Sequence, residues 1–540
     1  MFRETQLSIV EITKRYGDNL VLDRTSLSVA PGEKVGVIGD NGSGKSTLLR
    51  LLAEVEAPDN GELTVRSPGG VGYLPQTLDL PDGDTVADAI DLALADLREI
   101  EAAMRECERR IPDDEEAADE YADLLARFEA RGGWEADRRV ERARGALGLP
   151  RLEPERPLGT LSGGERSRLM LAATLAARPA LLLLDEPSND LDDEAVTWLE
   201  AQLRDWPGTV VTVTHDRAFL ESITTTMVEV ADRNARRYGD GYNGYLAAKE
   251  VERRQHQDAY DHWNAEVERQ QALVDANAGR MNAIPRKMEK AGMGTGAHRL
   301  RDRGHGAASR IKVAKQQLER LRVNPVAPPP EPLRFNAAIA TTDVSEEVPA
   351  VEIDGVVVGD RLKVPELTVV HGDRILVTGA NGAGKTTLMR VIGGELEPDE
   401  GKVECNGTLG HLRQLSEPDA KRRTVLQAFA EDRVGTVDEH AEALSRLGLF
   451  TDDQFEVPVS ALSVGQRRRL ELARLVTAPV DILLLDEPTN HLSPLLAEQL
   501  QQALAAYTGT MILVSHDRRL RELFAGRHVV MDSGAITECP

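Results

Sequence analysis

Short runs of aliphatic and β-branched residues alternate along the chain with longer segments whose apolar residues recur every three or four positions. The runs VGVIG, LLLLD and VVTVT are almost wholly apolar, which is typical of strands buried on both faces. The longer segments have the period of amphipathic helices. Strands that alternate with helices indicate a parallel sheet with crossover helices, so the pattern predicts an α/β fold.

The same order of elements occurs twice. The stretch that begins at Val35 recurs from Ile375, and the stretch that begins at Leu161 recurs from Leu462. In both copies, 30 positions separate the aspartate of LLLDEP from a histidine that follows the next apolar run. Self-similarity of this kind indicates repeated structural units. We therefore predict two tandem domains of one type, over residues 1–245 and 335–540.

Each copy carries an insertion before the second of its two repeated stretches. The insertion from Pro75 to Leu161 is longer than the one from Gln414 to Leu462, and it is acidic with helical periodicity. We interpret it as a helical subdomain inserted into the sheet domain. Its charges are typical of a solvated helix face.

The segment between the copies, placed at residues 246–324, has a different composition. The residues from Leu246 to Arg280 predict one long polar helix. A basic tip interrupted by glycines and a short return helix follow it. Together the two helices and the tip predict an α-helical hairpin. A proline-rich connector follows at residues 325–334. Between Arg280 and Arg322 there are twelve Lys or Arg against three Asp or Glu, a local charge of +9. Such a patch suits a phosphate backbone, although a hairpin that merely spaces the domains would look similar.

Composition restricts the class of protein. The 540 residues include 90 acidic and 65 basic side chains, a net charge of −25, which argues against indiscriminate coating of nucleic acid. Three widely spaced cysteines show no metal-ligand pattern and favour a reducing compartment. No apolar run approaches the roughly 18 residues of a membrane span, and the N-terminus has no signal-peptide pattern. We expect a soluble cytoplasmic protein.

Two glycine-rich loops carry the first candidate chemistry. GDNGSGKS and GANGAGKT both fit GxxxxGK[ST], and each lies between a predicted strand and a predicted helix. Their backbone N–H groups would surround phosphates, the lysines would reach the β- and γ-phosphates, and Ser46 and Thr386 would coordinate Mg²⁺. Because strand, loop and helix recur together, a simple glycine turn is disfavoured. The candidate residues are Gly39, Asn41, Gly42, Gly44, Lys45, Ser46, Thr47, Gly379, Asn381, Gly382, Gly384, Lys385, Thr386 and Thr387.

LLLDEP supplies a matching pair of acids at the end of each buried strand. Asp185 and Asp486 are suited to the magnesium shell. Glu186 and Glu487 are placed to polarise an attacking water, as phosphoryl transfer requires. An acidic strand end that caps the next helix is the alternative, and the accompanying phosphate loop makes it the weaker one.

LSGGE (161–165) and LSVGQ (462–466) resemble the signature sequence of ATP-binding cassette ATPases. The resemblance implies two P-loop NTPase cassettes, each with a mostly parallel sheet core and a helical subdomain, that pair head to tail within one chain. A monomer would then hold two ATP molecules, each between the phosphate loop of one cassette and the signature of the other. The signature residues implied are Ser162, Gly163, Gly164, Glu165, Ser463, Gly465 and Gln466.

The same resemblance assigns further roles. Gln76 and Gln414 match the glutamine that contacts Mg²⁺ and the attacking water, and His215 and His516 match the histidine that contacts the γ-phosphate. Tyr16 matches the aromatic residue that stacks on adenine.

The second copy departs from this pattern at two positions. No aromatic residue corresponds to Tyr16, and Ser493 replaces Asp192. We therefore expect adenine to be held differently in the second site, and contacts across the cassette interface to differ.

Two cassettes without membrane segments, joined by a long charged linker, resemble the ABC-F family. The segment YGDGYNGYLAAKE (238–250) resembles the sequence that precedes the interdomain linker of that family. The resemblance implies a ribosome partner that the ATP-closed form binds through the linker, with rRNA and possible tRNA contacts near the peptidyl-transferase region, and release by ATP hydrolysis. Antibiotic resistance by ribosome protection is the function we favour. A general translation factor, an exporter's ATPase subunit and a chromosome or DNA-repair ATPase are the alternatives.

Overall fold

The protein is described here by a computed structural model. It covers residues 5–76, 81–112, 114, 116–149, 151–282, 312–335, 348–380, 382–414, 422–431 and 433–538, with side chains omitted at 277–282 and 538. Two compact units can be distinguished. The first contains Met1–Leu246, Pro332–Arg433 and Phe455–Pro540, and the second contains Ala247–Glu331 and Val434–Gln454.

Within the described residues, the N-terminal half of the first unit contains nine strands and eight α-helices. Its strands are β1 (Gln6–Tyr16), β2 (Asn19–Val29), β3 (Lys34–Ile38), β4 (Asn60–Arg66), β5 (Val71–Leu74), β6 (Leu181–Asp185), β7 (Thr209–Val213), β8 (Thr226–Ala231) and β9 (Asn234–Tyr238). Its helices are α1 (Lys45–Leu52), α2 (Val86–Ala93), α3 (Ala95–Arg110), α4 (Glu116–Ala130), α5 (Ala136–Ala146), α6 (Gly163–Ala176), α7 (Asp193–Arg204) and α8 (Arg217–Ile223).

A six-stranded sheet with the order β5-β6-β7-β3-β8-β9 forms the centre of this half. Its first five strands are parallel and β9 pairs antiparallel with β8. A separate antiparallel sheet has the order β2-β1-β4. Because β6, β7 and β3 are neighbours, the segments that follow them meet at the carboxyl edge of the sheet, where open α/β folds bind ligands.

The C-terminal half repeats this design. Its strands are β10 (Val351–Val358), β11 (Leu362–Val369), β12 (Arg374–Gly379), β13 (Glu400–Cys405), β14 (Leu409–Leu412), β15 (Ile482–Asp486), β16 (Thr510–Val514), β17 (Arg527–Asp532) and β18 (Ala535–Glu538). The order β14-β15-β16-β12-β17-β18 matches that of the first half, and a single parallel pairing, Lys363 with Ala535, extends the sheet into antiparallel β11-β10-β13. The mostly parallel sheet predicted for both copies is confirmed.

The sheet core is explained by the apolar runs. All five residues of β6 are buried. Leu182 and Leu184 pack in the cluster that includes α6 and α7, whereas Leu181 and Leu183 pack in the cluster that includes α1. Successive side chains of a strand point to opposite faces, so a strand covered on both sides must be apolar throughout. Each fully buried leucine stabilises the fold by roughly 1.5–3 kcal/mol.

The predicted helical insertions are also present. Helices α2 to α5 occupy the first insertion, and α3, α4 and α5 bury a small core of their own around Leu97, Met104 and Phe128. The corresponding C-terminal stretch contains α12 (Val425–Ala430) and α13 (Val437–Leu447). The remaining helices of this half are α11 (Lys385–Ile392), α14 (Val464–Val476), α15 (Pro494–Ala506) and α16 (Arg518–Glu522).

The second unit contains the linker helices and α13. Helix α9 runs from Gly241 to Asn282, so it begins before position 246 and confirms the long helix. A return helix, α10, covers residues 312–323, and Trp263 Nε1 of α9 donates a hydrogen bond to the Leu321 carbonyl (3.1 Å). The basic tip, residues 283–311, lies outside the described residues. None of the helices in the described ranges combines the length and apolar composition of a membrane crossing.

Candidate nucleotide-binding sites

The two phosphate loops have the backbone shape that the motif predicts. Gly39, Gly42 and Gly44 all have positive φ, and Gly44 (φ 107°) immediately precedes α1. A Cβ on Gly39 would lie 2.3 Å from the Val230 carbonyl oxygen, so only glycine fits there. The loop therefore directs the N-terminus of α1 toward the ligand position, where backbone N–H groups favour anions. We call this site 1, and the equivalent loop before α11 site 2.

The lysine of each loop is held by its own loop. Lys45 Nζ donates to the carbonyls of Gly39 (2.8 Å) and Asp40 (3.0 Å). Lys385 Nζ does the same with Gly379 (2.7 Å) and Ala380 (3.0 Å). Burial lowers the pKa of both lysines, and neighbouring carboxylates oppose that shift. Each site thus has a fixed ammonium group inside the loop.

The candidate magnesium residues meet in pairs. Ser46 lies near Asp185, and Thr386 near Asp486, so each hydroxyl opposes the rise in the pKa of its aspartate. Burial raises the pKa of both aspartates. Among the described residues, Asp185 Oδ1 and Asp486 Oδ1 are buried without a hydrogen-bond partner. An unpaired buried carboxylate oxygen beside a hydroxyl is a donor set that fits Mg²⁺.

The two glutamines differ in their contacts. Thr386 Oγ1 lies 3.4 Å from Gln414 Oε1, within hydrogen-bond distance, so Gln414 joins the pair at site 2. Gln76 lines the same cavity as the site 1 residues.

The glutamates that follow the aspartates have strained backbones. Glu186 (φ 53°) and Glu487 (φ 48°) lie in the left-handed region, and their N–H groups donate to the carbonyls of Val213 and Val514. Such conformations cluster at functional sites. Burial raises the pKa of Glu186 to about 8 and that of Glu487 to about 7. These carboxyl groups are therefore tuned to exchange a proton near neutral pH.

A histidine lies beside each glutamate. His215 Nε2 is 3.4 Å from Glu186 Oε1, and His516 Nε2 is 3.6 Å from Glu487 Oε1. Burial lowers the pKa of His215 to about 4 and also lowers the pKa of His516. Both imidazoles are consequently neutral at physiological pH and can donate a hydrogen bond without carrying charge.

One cavity of about 1800 Å³, lined by residues of both halves, brings most of the predicted residues together. All six candidate catalytic residues line it, as do both aspartates of the magnesium pairs. The candidate nucleotide-contacting residues in its lining are Tyr16, Asn41, Gly42, Gly44, Lys45, Ser46, Thr47, Gly164, Gly379, Gly382, Gly384, Lys385, Thr386 and Thr387. Ser463 and Gly465 line a second, small cavity with Asn41. Asn381 lies outside the described residues.

The remaining signature residues make local contacts. Ser162 accepts a hydrogen bond from the backbone of Glu165, whose carboxylate accepts one from the Ser162 N–H, so the pair caps α6. Ser463 and Gln466 cap α14 in the same way. In this structure Ser162, Gly163, Glu165 and Gln466 are not part of either cavity lining. Their contact with nucleotide stays a prediction.

The surroundings of Tyr16, the residue predicted to stack on adenine, differ from the equivalent region of the second half. At site 1, Tyr16 Oη donates to Glu56 (2.6 Å) and accepts from Arg50 (3.0 Å), which holds the ring in place. Val21 faces Gly44 there. In the second half the carbonyl of Arg361 faces Gly384, and Arg361 lines the cavity.

Ion pairs that were not predicted from the sequence join the two halves. Arg217 (1% exposed) contacts Asp517 (2.8 Å) and Glu498 (3.1 Å) of the other half. Arg518 contacts Glu200 and Asp216 in return. The signal was the triplet HDR, which occurs after β7 and again after β16. The cavity also contains residues that were not predicted, namely Asp190, Asp193, Arg168, Arg361, His491, Arg518 and Arg521.

Two matching sheets with a phosphate loop at the same edge of each define a protein with two nucleotide-binding cassettes. Comparisons with known proteins agree. A profile of the family described as "ABC transporter" matches residues 22–189 and 362–490. Among solved structures, RNase-L inhibitor matches with a TM-score of 0.54 at 20% identity, over 97% of this chain and 89% of that chain, which shows the fold.

Full-length relatives narrow the assignment. The chain is 56% identical to the tylosin resistance ATP-binding protein TlrC of Streptomyces fradiae, over 99% of this chain and 98% of the relative. It is 32% identical to the energy-dependent translational throttle protein EttA of Haemophilus influenzae, over 96% of this chain and 90% of the relative. The chain therefore belongs to the ATP-binding cassette proteins and, within them, to the ABC-F family.

Proposed function

We propose that this ABC-F protein hydrolyses ATP at the two sites. Lys45 and Lys385 bind the phosphates from within their loops. Glu186 and Glu487, whose pKa values lie near neutrality, accept a proton from the attacking water. The neutral histidines donate a hydrogen bond to the terminal phosphate.

Magnesium would be held by two matching sets of side chains, and it would neutralise phosphate charge when bound. The sets are Ser46, Gln76 and Asp185 at site 1, and Thr386, Gln414 and Asp486 at site 2. The hydroxyl–carboxylate pairs and the unpaired aspartate oxygens support this assignment.

We propose further that the ATP-closed form binds the ribosome and confers antibiotic resistance by protecting it. The observation that carries this proposal is the similarity to a protein named for tylosin resistance, which extends over 99% of the chain and so includes the segment between the cassettes. The cassettes would close on ATP because each nucleotide lies between the two halves. Hydrolysis would then release the ribosome.

The linker is the element that would reach the ribosomal target. At about 1.5 Å per residue, the 42 residues of α9 span roughly 60 Å. We propose that this helix carries the basic tip toward the tRNA and peptidyl-transferase region, where the basic side chains of residues 280–322, with a local charge of +9, would contact rRNA phosphates.

A general translation factor is the second candidate, favoured by the full-length similarity to a translational throttle protein. Protein synthesis in a cell-free system separates the possibilities. A resistance protein should restore synthesis in the presence of tylosin at a concentration that stops it, whereas a translation factor should change the rate without any drug. The Lys45→Ala/Lys385→Ala variant serves as the control, because it retains the linker and loses both phosphate-binding lysines.

No effect on translation with or without drug would contradict the proposal. That result would favour the ATPase subunit of an exporter, whose activity depends on a membrane partner. The cytoplasmic location and monomeric state expected from the sequence stay predictions.

A further inference from the structure

The two sites differ at one contact between a phosphate loop and the opposing signature helix. At site 1, Arg469 of α14 forms an ion pair with Asp40 of the phosphate loop, with 3.1 Å between Nη1 and Oδ2. The two residues belong to different halves of the chain. Arg469 is 20% exposed and Asp40 48% exposed, so the pair lies at the edge of the site.

Site 2 cannot form this pair. The residue equivalent to Asp40 is Ala380, and the residue equivalent to Arg469 is Arg168, six positions after the signature serine in each copy. Arg168 donates to carbonyls of its own half, Gly164 (3.2 Å) and Leu147 (3.4 Å). The signature helix thus carries an arginine at both sites, but the opposing phosphate loop carries an aspartate at this position only at site 1.

The signature glycine of the second copy also lies close to the phosphate loop of site 1. A Cβ on Gly465 would lie 2.9 Å from the His491 carbonyl oxygen of its own half and 3.4 Å from Asn41 Nδ2 in the opposing phosphate loop. Ser463, Gly465 and Asn41 enclose a small cavity. The residue equivalent to Asn41 at site 2, Asn381, lies outside the described residues. The second signature therefore contacts the first phosphate loop at its glycine as well as through the ion pair.

We propose that Asp40 and Arg469 are positioning residues that hold the second signature over site 1, so that site 1 retains its nucleotide longer than site 2. This inference goes beyond the proposed function and rests on its ATP binding alone. A partly exposed ion pair contributes little, so the pair should slow ATP release about two- to fivefold, and salt should weaken the effect.

ATP release from the Glu186→Gln/Glu487→Gln protein tests the proposal, because we expect this protein to bind nucleotide without hydrolysing it. Labelled ATP is loaded and then displaced with excess unlabelled ATP. We expect two phases of release. Arg469→Met should accelerate the slow phase about two- to fivefold, and it should have no further effect in a protein that already carries Asp40→Ala.

The reciprocal experiment adds the missing carboxylate to the phosphate loop of site 2. Ala380→Asp places a carboxylate opposite Arg168 at site 2, and it should slow the fast phase about two- to fivefold. Adding Arg168→Met should reverse that gain. A variant that failed to fold would not produce these opposite effects on the slow and fast phases.

Independent effects of Arg469→Met and Asp40→Ala, or an unchanged slow phase in both, would overturn the proposal. So would an effect that does not diminish with salt. No retention of ATP by any variant would refute the proposed ATPase function itself, whereas retention without coupling would overturn only the role of this pair.

Discussion

Arg217→Met is the perturbation whose cost follows most directly from the structure. The guanidinium lies between Asp517 and Glu498 of the other half, and its side chain is fully buried. Methionine fills a similar volume without charge. The variant leaves the two carboxylates next to each other with one fewer cation, although Glu498 keeps contacts with Arg519 (3.3 Å) and Tyr242 (3.3 Å).

Removing one partner of a buried ion pair costs about 3–5 kcal/mol. The retained contacts of Glu498 and the partial exposure of Asp517 (15%) place this variant near the lower end, at about 3 kcal/mol. Arg518→Met is the matched control from the other half. Its side chain is 15% exposed, and Asp216, one of its partners, is 24% exposed, so we expect about 1 kcal/mol.

Hydrogen exchange followed by mass spectrometry measures both costs locally. In peptides that cover α8 and α16, 3 kcal/mol corresponds to roughly a hundredfold loss of protection and 1 kcal/mol to roughly fivefold. Peptides from β1 and β4, which lie in a separate sheet, should be unaffected. Equal effects of the two variants, or a loss below about fivefold for Arg217→Met, would refute the assignment of Arg217 as the stronger connection between the halves.

Three further predictions concern the sites. The pKa values of Glu186 and Glu487 are raised, so the folded protein holds these protons more tightly than the unfolded chain does. The contribution of the two protonated carboxyl groups to stability is therefore full below the ordinary glutamate pKa of 4.5, and it is lost as pH rises through about 7 to 8. Between about pH 5 and pH 8, nucleotide-free wild-type protein should lose thermal stability relative to the double Gln variant; parallel curves would contradict this. Tyr16→Ala should weaken nucleotide binding at site 1 about tenfold in a competition assay and leave site 2 unchanged, whereas equal losses at both sites would argue against ring stacking. Gly44→Ala places a Cβ 2.8 Å from a side chain at φ 107°, so it should abolish ATP binding at site 1, while Gly42→Ala (φ 83°, open surroundings) should reduce it less; the same binding assay decides.

The elements that the sequence predicted are those specified by local pattern. The phosphate loops, the acid pair after each buried strand and the long helix α9 all depend on residues close together in the chain. Because the carboxyl ends of neighbouring parallel strands share one edge, the motifs of each copy meet once the sheet order is known. Periodicity was enough for the strands and for the long helix, whereas the loops and the acid pairs were predicted from short motifs.

The contacts that the sequence did not predict join residues far apart. Arg217 and Asp517 are separated by 300 positions. The repeated HDR triplet contains both residues, but it does not show that they pair with each other. The signature serines show the opposite case, in which a local signal was present and was not used. Ser162 with Glu165 and Ser463 with Gln466 match the S-x-x-E/Q capping box, and both form it. Helix capping and nucleotide contact therefore compete as explanations of the same serines.

ATP-dependent binding to the ribosome is the central claim of the proposed function, and sedimentation tests it directly. Glu186→Gln/Glu487→Gln protein is centrifuged with purified ribosomes, with and without ATP, at increasing salt. We expect the protein to sediment with ribosomes only when ATP is present, and we expect binding to weaken as salt rises because basic side chains contact phosphates. Absence of ribosome binding with every nucleotide, or equal binding without ATP, would contradict it.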